Sequence, residues 1–197
     1  MVDDLEFDRE FFETLARLDE AVMQRVAAEG CQLCDGPLHR SDYNRKPRGA
    51  LIAPAGEEEA FVRRFSLCCG REGCRKRATP PSVRFLGRRV YLGVVVIVAS
   101  LVALSLRAAG EVRQRTGVPV QTVRRWLGWW QGSFLKTAEF MTICARIVGV
   151  EVGRVPASIV ERLEGTGTEP AQRMLELLAP LTTGSVPDGS RFLRGAP

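Results

Sequence analysis

Cysteine spacing sets the first chemistry available to this 197-residue chain. Cys31 and Cys34 stand with two residues between them in CQLCDGPLHR, and Cys68, Cys69 and Cys74 follow much later in SLCCGREGCRKR. Thiolates from two such turns can surround a tetrahedral metal ion, and zinc is the usual occupant of a four-sulfur site. Only one of the adjacent Cys68 and Cys69 can turn inward, so the expected ligands are Cys31, Cys34, Cys69 and Cys74, with Cys68 the alternative to Cys69. Four residues separate Cys69 from Cys74, wider than a plain C-x2-C, and Gly70 and Gly73 both lie within that gap. His39, the one histidine, could replace a single cysteine at most. A catalytic zinc keeps an open position and an acid or base beside it, whereas this composition points to a closed structural Zn2+ that folds a segment poor in apolar area. The sixth cysteine, Cys144, falls on an apolar helical face and is expected in the core.

A second chemistry is encoded in residues 110–130, GEVRQRTGVPVQTVRRWLGWW. A short helix over 111–116, a turn at Gly117 and a second helix over 119–131 make the layout of a helix-turn-helix. Val112, Val118, Val123, Trp126, Leu127 and Trp130 would face inward. The opposite face of the second helix carries Val120, Gln121, Arg124 and Arg125. Gln can pair with adenine, Arg with guanine, and a valine can touch a thymine methyl in the major groove. Thr122, Arg113 and Arg115 suit phosphates, as do Arg75, Lys76 and Arg77 beside the last cysteine. The same basic stretch includes Arg40, Arg45, Lys46, Arg48 and Arg84.

Charge distribution agrees with that assignment. The chain holds 28 Lys+Arg against 23 Asp+Glu, but residues 1–36 carry 3 basic and 10 acidic groups while residues 37–90 carry 13 and 5. Only Lys46, Lys76 and Lys136 are lysines, so the cations are nearly all planar guanidinium forks. The opening MVDDLEFDREFF is acidic where a secretory signal would be basic, which with clustered cysteines points to a reducing, cytoplasmic setting.

The elements that must position these residues follow from periodicity. Residues 5–28 repeat apolar side chains (Leu5, Phe11, Phe12, Leu15, Leu18, Val22, Val26) at helical spacing, and Gly30 stops the helix. Residues 31–82 are rich in Gly, Pro, Cys and Arg, suiting short strands around a metal staple. Residues 90–106 form an uncharged run of 17 between Arg89 and Arg107. A bilayer span needs about 20 residues and a charge asymmetry, so this run is expected to be a buried helix under the two-helix unit. Residues 134–149, 156–164 and 169–179 read as further helices, with Pro156 and Pro170 in their first turns. The fold class is therefore mainly α with a small β zinc ribbon, a helix-turn-helix bundle. Its expected parts are an acidic helix (1–30), a ribbon-like module (31–82), the helix-turn-helix domain (83–133), C-terminal helices (134–181) and a flexible tail (182–197).

In these segments the chain resembles small bacterial proteins that join a zinc ribbon to a helix-turn-helix and are associated with transposases or integrases of mobile elements. CQLCDGPLHRSDYNRKPRG, RFSLCCGREGCRKRATPPSVRFLGRRVYLG and TGVPVQTVRRW carry the likeness, over roughly residues 31–130. Pro119, where such motifs usually place a Ser or Thr cap, and the widened second cysteine turn depart from the pattern. The resemblance implies double-stranded DNA as partner, recognition of element ends or regulation of the element, and a transposase or integrase as protein partner. The apolar C-terminal helices offer a surface for a homodimer. An alternative is an adaptor that docks a recombinase through the ribbon and the acidic N-terminal helix. An enzyme is not expected: there is no phosphate-binding glycine loop and no nucleophile placed beside a base.

Overall fold

A computed structural model describes residues 7–45, 62–86, 91–105 and 109–182, without the side chains of 109–111 and 115. Of the expected tail, Thr182 is described and buried, its hydroxyl accepting the Ser82 N–H at 2.7 Å, so the fold includes it; residues 183–197, together with Leu5, Lys46 and Arg48, lie outside the described residues. The architecture is mainly helical with a small antiparallel sheet.

Helix α1 (Arg9–Glu29) starts where the Asp8 carboxylate accepts the Phe11 N–H at 2.9 Å, and ends at Gly30, whose φ is 79°. It packs against two cores in succession. Phe11, Phe12 and Leu15 enter the large helical core, while Met23 and Val26 join Phe65 and Leu67 beneath the sheet. Leu18 and Val22, expected inward, are half-buried, and the inward stripe continues through Asp19 and Met23 instead.

The strands β1 (Leu38–Arg40), β2 (Tyr43–Asn44), β3 (Arg63–Arg64), β4 (Leu67–Cys69) and β5 (Arg77–Ala78) follow, forming a three-stranded antiparallel sheet and a two-stranded one that continues it. β1 pairs with β4 and β2 with β3 in one constant register: Leu38 faces Cys69 and Tyr43 faces Arg64. Between them the Ser41 N–H donates to the Ser66 carbonyl at 2.8 Å. The Asp42 carboxylate accepts the Ser66 N–H at 3.2 Å, so a side chain takes over where the ladder is interrupted. β5 adds to β4 on its other side, giving the order β1-β4-β5.

Helix α2 (Gly93–Ser105) is buried from Gly93 through Val102. An all-apolar helix needs neighbours on every side, and α3 (Ala109–Thr116), α4 (Val120–Trp130) and α7 (Glu169–Leu178) supply them. Its Ser100 hydroxyl donates to the Val96 carbonyl at 2.7 Å and accepts the Trp130 indole N–H at 3.0 Å, so it is buried fully bonded. Among the described residues no helix is long and apolar enough to cross a membrane.

In the C-terminal part the expected helix over 169–179 is present, while those expected over 134–149 and 156–164 are shorter. A 3-10 turn (Phe134–Lys136) precedes α5 (Ala138–Arg146), because the Thr137 hydroxyl accepts the Phe140 N–H at 3.2 Å and starts a new helix. α6 (Ala157–Val160) is a single turn, and α7 carries Pro170 in its first turn. Cys144 is exposed on α5 rather than packed in the core. The inward residues of that helix are Phe140 and Ile143, so Cys144 falls just beyond the buried stripe.

Candidate metal centre and basic helical face

The Sγ atoms of Cys31, Cys34, Cys69 and Cys74 all lie within 4.8 Å of one another. Cys31 is 3.8 Å from Cys74, and Cys34 is 3.5 Å from Cys69. A disulfide needs about 2.05 Å, whereas a tetrahedron of sulfurs bonded at about 2.3 Å to a central ion has edges of about 3.8 Å. The cluster therefore has the dimensions of a metal site, and these four residues can hold a metal ion.

Local turns explain the placement. In the first, the Cys34 and Asp35 N–H groups both donate to the Cys31 carbonyl, at 3.2 and 2.7 Å, and Asp35 takes a positive φ of 56°. In the second, the Cys74 and Arg75 N–H groups donate to the Arg71 carbonyl, at 3.2 and 3.3 Å, and Arg75 takes a φ of 44°. Arg71 thus occupies the turn position that Cys31 fills in the first, and the sulfur comes instead from Cys69 at the end of β4. That is the physical content of the wider spacing. A Cβ on Gly36 would stand 3.0 Å from the Cys69 sulfur and 3.3 Å from that of Cys34, so the turns close face to face only over a glycine.

Backbone N–H groups two residues on point at three of the sulfurs: Leu33 at Cys31, Gly36 at Cys34 and Arg71 at Cys69. The Leu33 N–H lowers the Cys31 thiol to about 7, against burial and with help from the thiols of Cys34, Cys74 and Cys69. At Cys34 the Gly36 N–H also favours the thiolate, but burial and the other three sulfurs outweigh it and push the thiol up to about 12. The Arg71 N–H favours the Cys69 thiolate too; burial, Cys74 and Cys31 raise that thiol despite the lowering contribution of Cys34. Cys31 gives up its proton readily while Cys34 and Cys69 resist adding charge at the same point, a repulsion that a central cation removes.

Cys68 stands outside the cluster, with its thiol directed at the Arg75 carbonyl 3.5 Å away. It faces His39 across the sheet, and strand alternation turns its side chain away from that of Cys69. His39 is exposed, with its ring over Gly70, and is not in the cluster.

The second expected site falls on α3 and α4, joined by the turn at 117–119. Gly117 has a φ of 65°, and the Thr116 hydroxyl accepts the Val118 N–H at 3.3 Å. Val112, Val118, Val123, Trp126 and Trp130 are buried, and Leu127 is half-buried. Gln121, Arg124, Arg125 and Arg113 are exposed; Val120 and Thr122 are half-buried in the first turn of α4. Arg125 Nε donates to the Gln121 carbonyl at 3.3 Å. The Arg115 side chain lies outside the described residues. No carboxylate residue occurs between Glu111 and Glu139.

The basic residues of the metal module have more internal roles than their number suggested. Arg75 and Lys76 are exposed on the second turn. Arg77 is exposed too, but its guanidinium donates to the Ser41 carbonyl and the Ser66 hydroxyl, both at 3.2 Å. Arg40 is paired with Asp42 and Glu20, and the Arg45 guanidinium lies over the Phe85 ring. Arg84, expected on phosphate, is 2% exposed and pairs with Asp19 at 2.8 Å. Asp19 also accepts the Ser82 hydroxyl and the Val83 N–H, each at 2.6 Å. Arg84 donates to the Arg63 carbonyl at 3.0 Å and lies between the Phe65 and Phe85 rings. This buried node ties α1, the sheet and the segment entering α2 together. One signal for it was present in the sequence: an aspartate in line with Leu15 and Met23 on an otherwise apolar helix face.

No family model, curated protein or solved structure matches the chain.

Proposed function

We propose that this chain is a zinc-stabilised helix-turn-helix protein that reads double-stranded DNA, with the α3–turn–α4 unit as reader and the four-cysteine module as its structural support. The observation that carries the reading is the exposed face of α4: Gln121, Arg124 and Arg125 project on one side while Val123, Trp126 and Trp130 anchor the other against the core. The opening turn of such a helix offers amide and guanidinium groups to base edges. Arg113 on α3 is placed for phosphate. Four sulfurs at tetrahedral separations favour zinc in a closed, structural role. Its likeness to ribbon-plus-helix proteins of mobile elements makes an accessory or regulator of transposition or recombination the role that fits.

The arrangement of α1 favours this reading over an adaptor that docks a recombinase through an acidic helix. Asp19 is turned inward to Arg84, Glu20 pairs with Arg40, and Glu13 pairs with Arg9. Asp19 thus serves the chain's own packing, and Glu20 and Glu13 are engaged in ion pairs within the chain.

Selection of duplexes from a random library by the metal-loaded protein, at low and at physiological salt, tests the function. A recovered sequence motif supports a reader, and its symmetry reports on dimerisation. Binding that vanishes with salt and yields no motif leaves only phosphate attraction and overturns the reading. Metal analysis tests the cofactor: about one zinc per chain is expected, and iron or no metal would overturn it.

A further inference from the structure

Within a helix glycine is the most costly residue after proline, and Gly128 stands in the last turn of α4, two residues before its end at Trp130. The chain's own packing gives no reason for it: a Cβ added at Gly128 would meet nothing within 4 Å. At 3.6 residues per turn, residues seven apart on a helix are nearly in line. Gly128 is therefore in line with Gln121, on the face opposite the buried Val123, Trp126 and Trp130. Arg124 and Arg125 flank that line one turn before it, and the stretch between Glu111 and Glu139 has no carboxylate to repel an anion.

We infer that Gly128 is a close-approach position at which the backbone of α4 meets the sugar-phosphate wall of duplex DNA. The inference rests on the duplex-reading function proposed above and adds a positioning residue to it. A helix with its side chains is about 10–12 Å across, and the major groove is about 12 Å wide, so a reading helix fills the groove with little clearance. If the first turn reaches base edges, residues about 10 Å further along the axis lie where the helix leaves the groove beside a phosphate strand. A side chain there holds the helix off the wall; a bare Cα lets it seat and brings Arg124 and Arg125 into reach. The cost to helix stability is then matched by a gain in contact with the nucleic acid.

The size series Gly128→Ala and Gly128→Leu tests this, because both replacements favour helix and keep the protein folded. Thermal melting of each metal-loaded variant is read beside its affinity for a random-sequence duplex at low salt, where phosphate contacts dominate. Gly128→Ala is expected to raise the Tm by roughly 2–4 °C and yet to weaken duplex binding about tenfold, with Gly128→Leu weaker still. Opposite signs for stability and affinity distinguish close approach from a packing role. Variants that bind as tightly as the wild type overturn the inference while leaving the duplex reading intact. A fall in Tm for Gly128→Ala also overturns it, since the glycine would then serve the fold. A wild-type protein that retains no duplex at low salt overturns the duplex reading, and the inference with it.

Discussion

Asp19→Ala is the substitution that most directly challenges the account of how the sheet module is held to the helical body. The carboxylate is 1% exposed and accepts three hydrogen bonds, from Ser82, Val83 and Arg84, at 2.6, 2.6 and 2.8 Å. Removing one partner of a buried pair costs roughly 3–5 kcal/mol, because the remaining charge is left unpaired. Two features place the expected loss inside that range rather than above it. Arg84 keeps its bond to the Arg63 carbonyl and its position between two rings, and the Ser82 hydroxyl still accepts the N–H groups of Arg84 and Phe85. The Val83 N–H has no such substitute and adds to the cost of desolvation. A loss of about 4 kcal/mol would consume a large part of the 5–15 kcal/mol typical of a folded domain. In a chain of this length it lowers the Tm by roughly 8–16 °C. Urea titration of the metal-loaded protein, read by tryptophan fluorescence, measures the change at fixed metal occupancy. The double substitution Asp19→Leu with Arg84→Met removes both charges and is expected to be less damaging than the sum of the two singles. An Asp19→Ala protein within about 1 kcal/mol of wild type, or a double variant as unstable as that sum, would refute the assignment of this pair as the clamp.

Further consequences concern the sulfurs and the basic face. Cys69→Ser should abolish stoichiometric metal binding, whereas Cys68→Ser should leave metal content unchanged; mass spectrometry of the native proteins separates the two. Alkylation of the folded, metal-loaded chain should label Cys68 and the exposed Cys144 while the four clustered thiols stay protected, and chelation should open all six. Protection of Cys68 together with labelling of Cys69 would reverse the ligand assignment. In duplex binding, Arg124→Ala should relax preference at one base position, at a cost of about 1–3 kcal/mol for the preferred sequence. Arg113→Ala should weaken all sequences alike and reduce the slope of log affinity against log salt by about 0.9. Equal effects of the two on every sequence would contradict the division into reading and positioning residues.

The features legible in the sequence are those whose geometry is local. Helical spacing placed α1 and the apolar α2, Gly117 marked the turn before α4, and paired cysteines marked both metal-site turns. Strand alternation alone says only that one of Cys68 and Cys69 turns inward; which of them does so is set by the long-range pairing of β4 with β1, so the sequence left both open. Thr137, three residues before Phe140, carried a readable cap signal that divides the stretch over 134–149. Roles set by a distant partner were not readable in the same way. Asp19 and Arg84 are 65 residues apart, and no spacing rule joins them. Cys144 shows the related failure of a helical stripe whose edge depends on what packs beside it.

Arginine makes the consequence for function concrete, because the sequence reading places Arg40, Arg77 and Arg84 among its candidates for phosphate and does not single out Arg64. Arg84 and Arg64 are instead buried: Arg84 pairs with Asp19, while Arg64 donates to the Pro80 carbonyl, with its basicity lowered to about 10 by burial. Arg40 is paired with carboxylates and Arg77 with the Ser41 and Ser66 oxygens. These groups tie the strands to one another and to α1, adding bonds to a module with little apolar area. On α3 and α4 the exposed Arg113, Arg124 and Arg125 have no carboxylate partner among the described residues. The weight of an anionic partner therefore shifts from the metal module, where the cations are most numerous, to the helix pair, where fewer cations face solvent together. Under the proposed duplex-reading function, a metal module that supports rather than grips predicts that loss of the metal weakens DNA binding only through loss of folded structure.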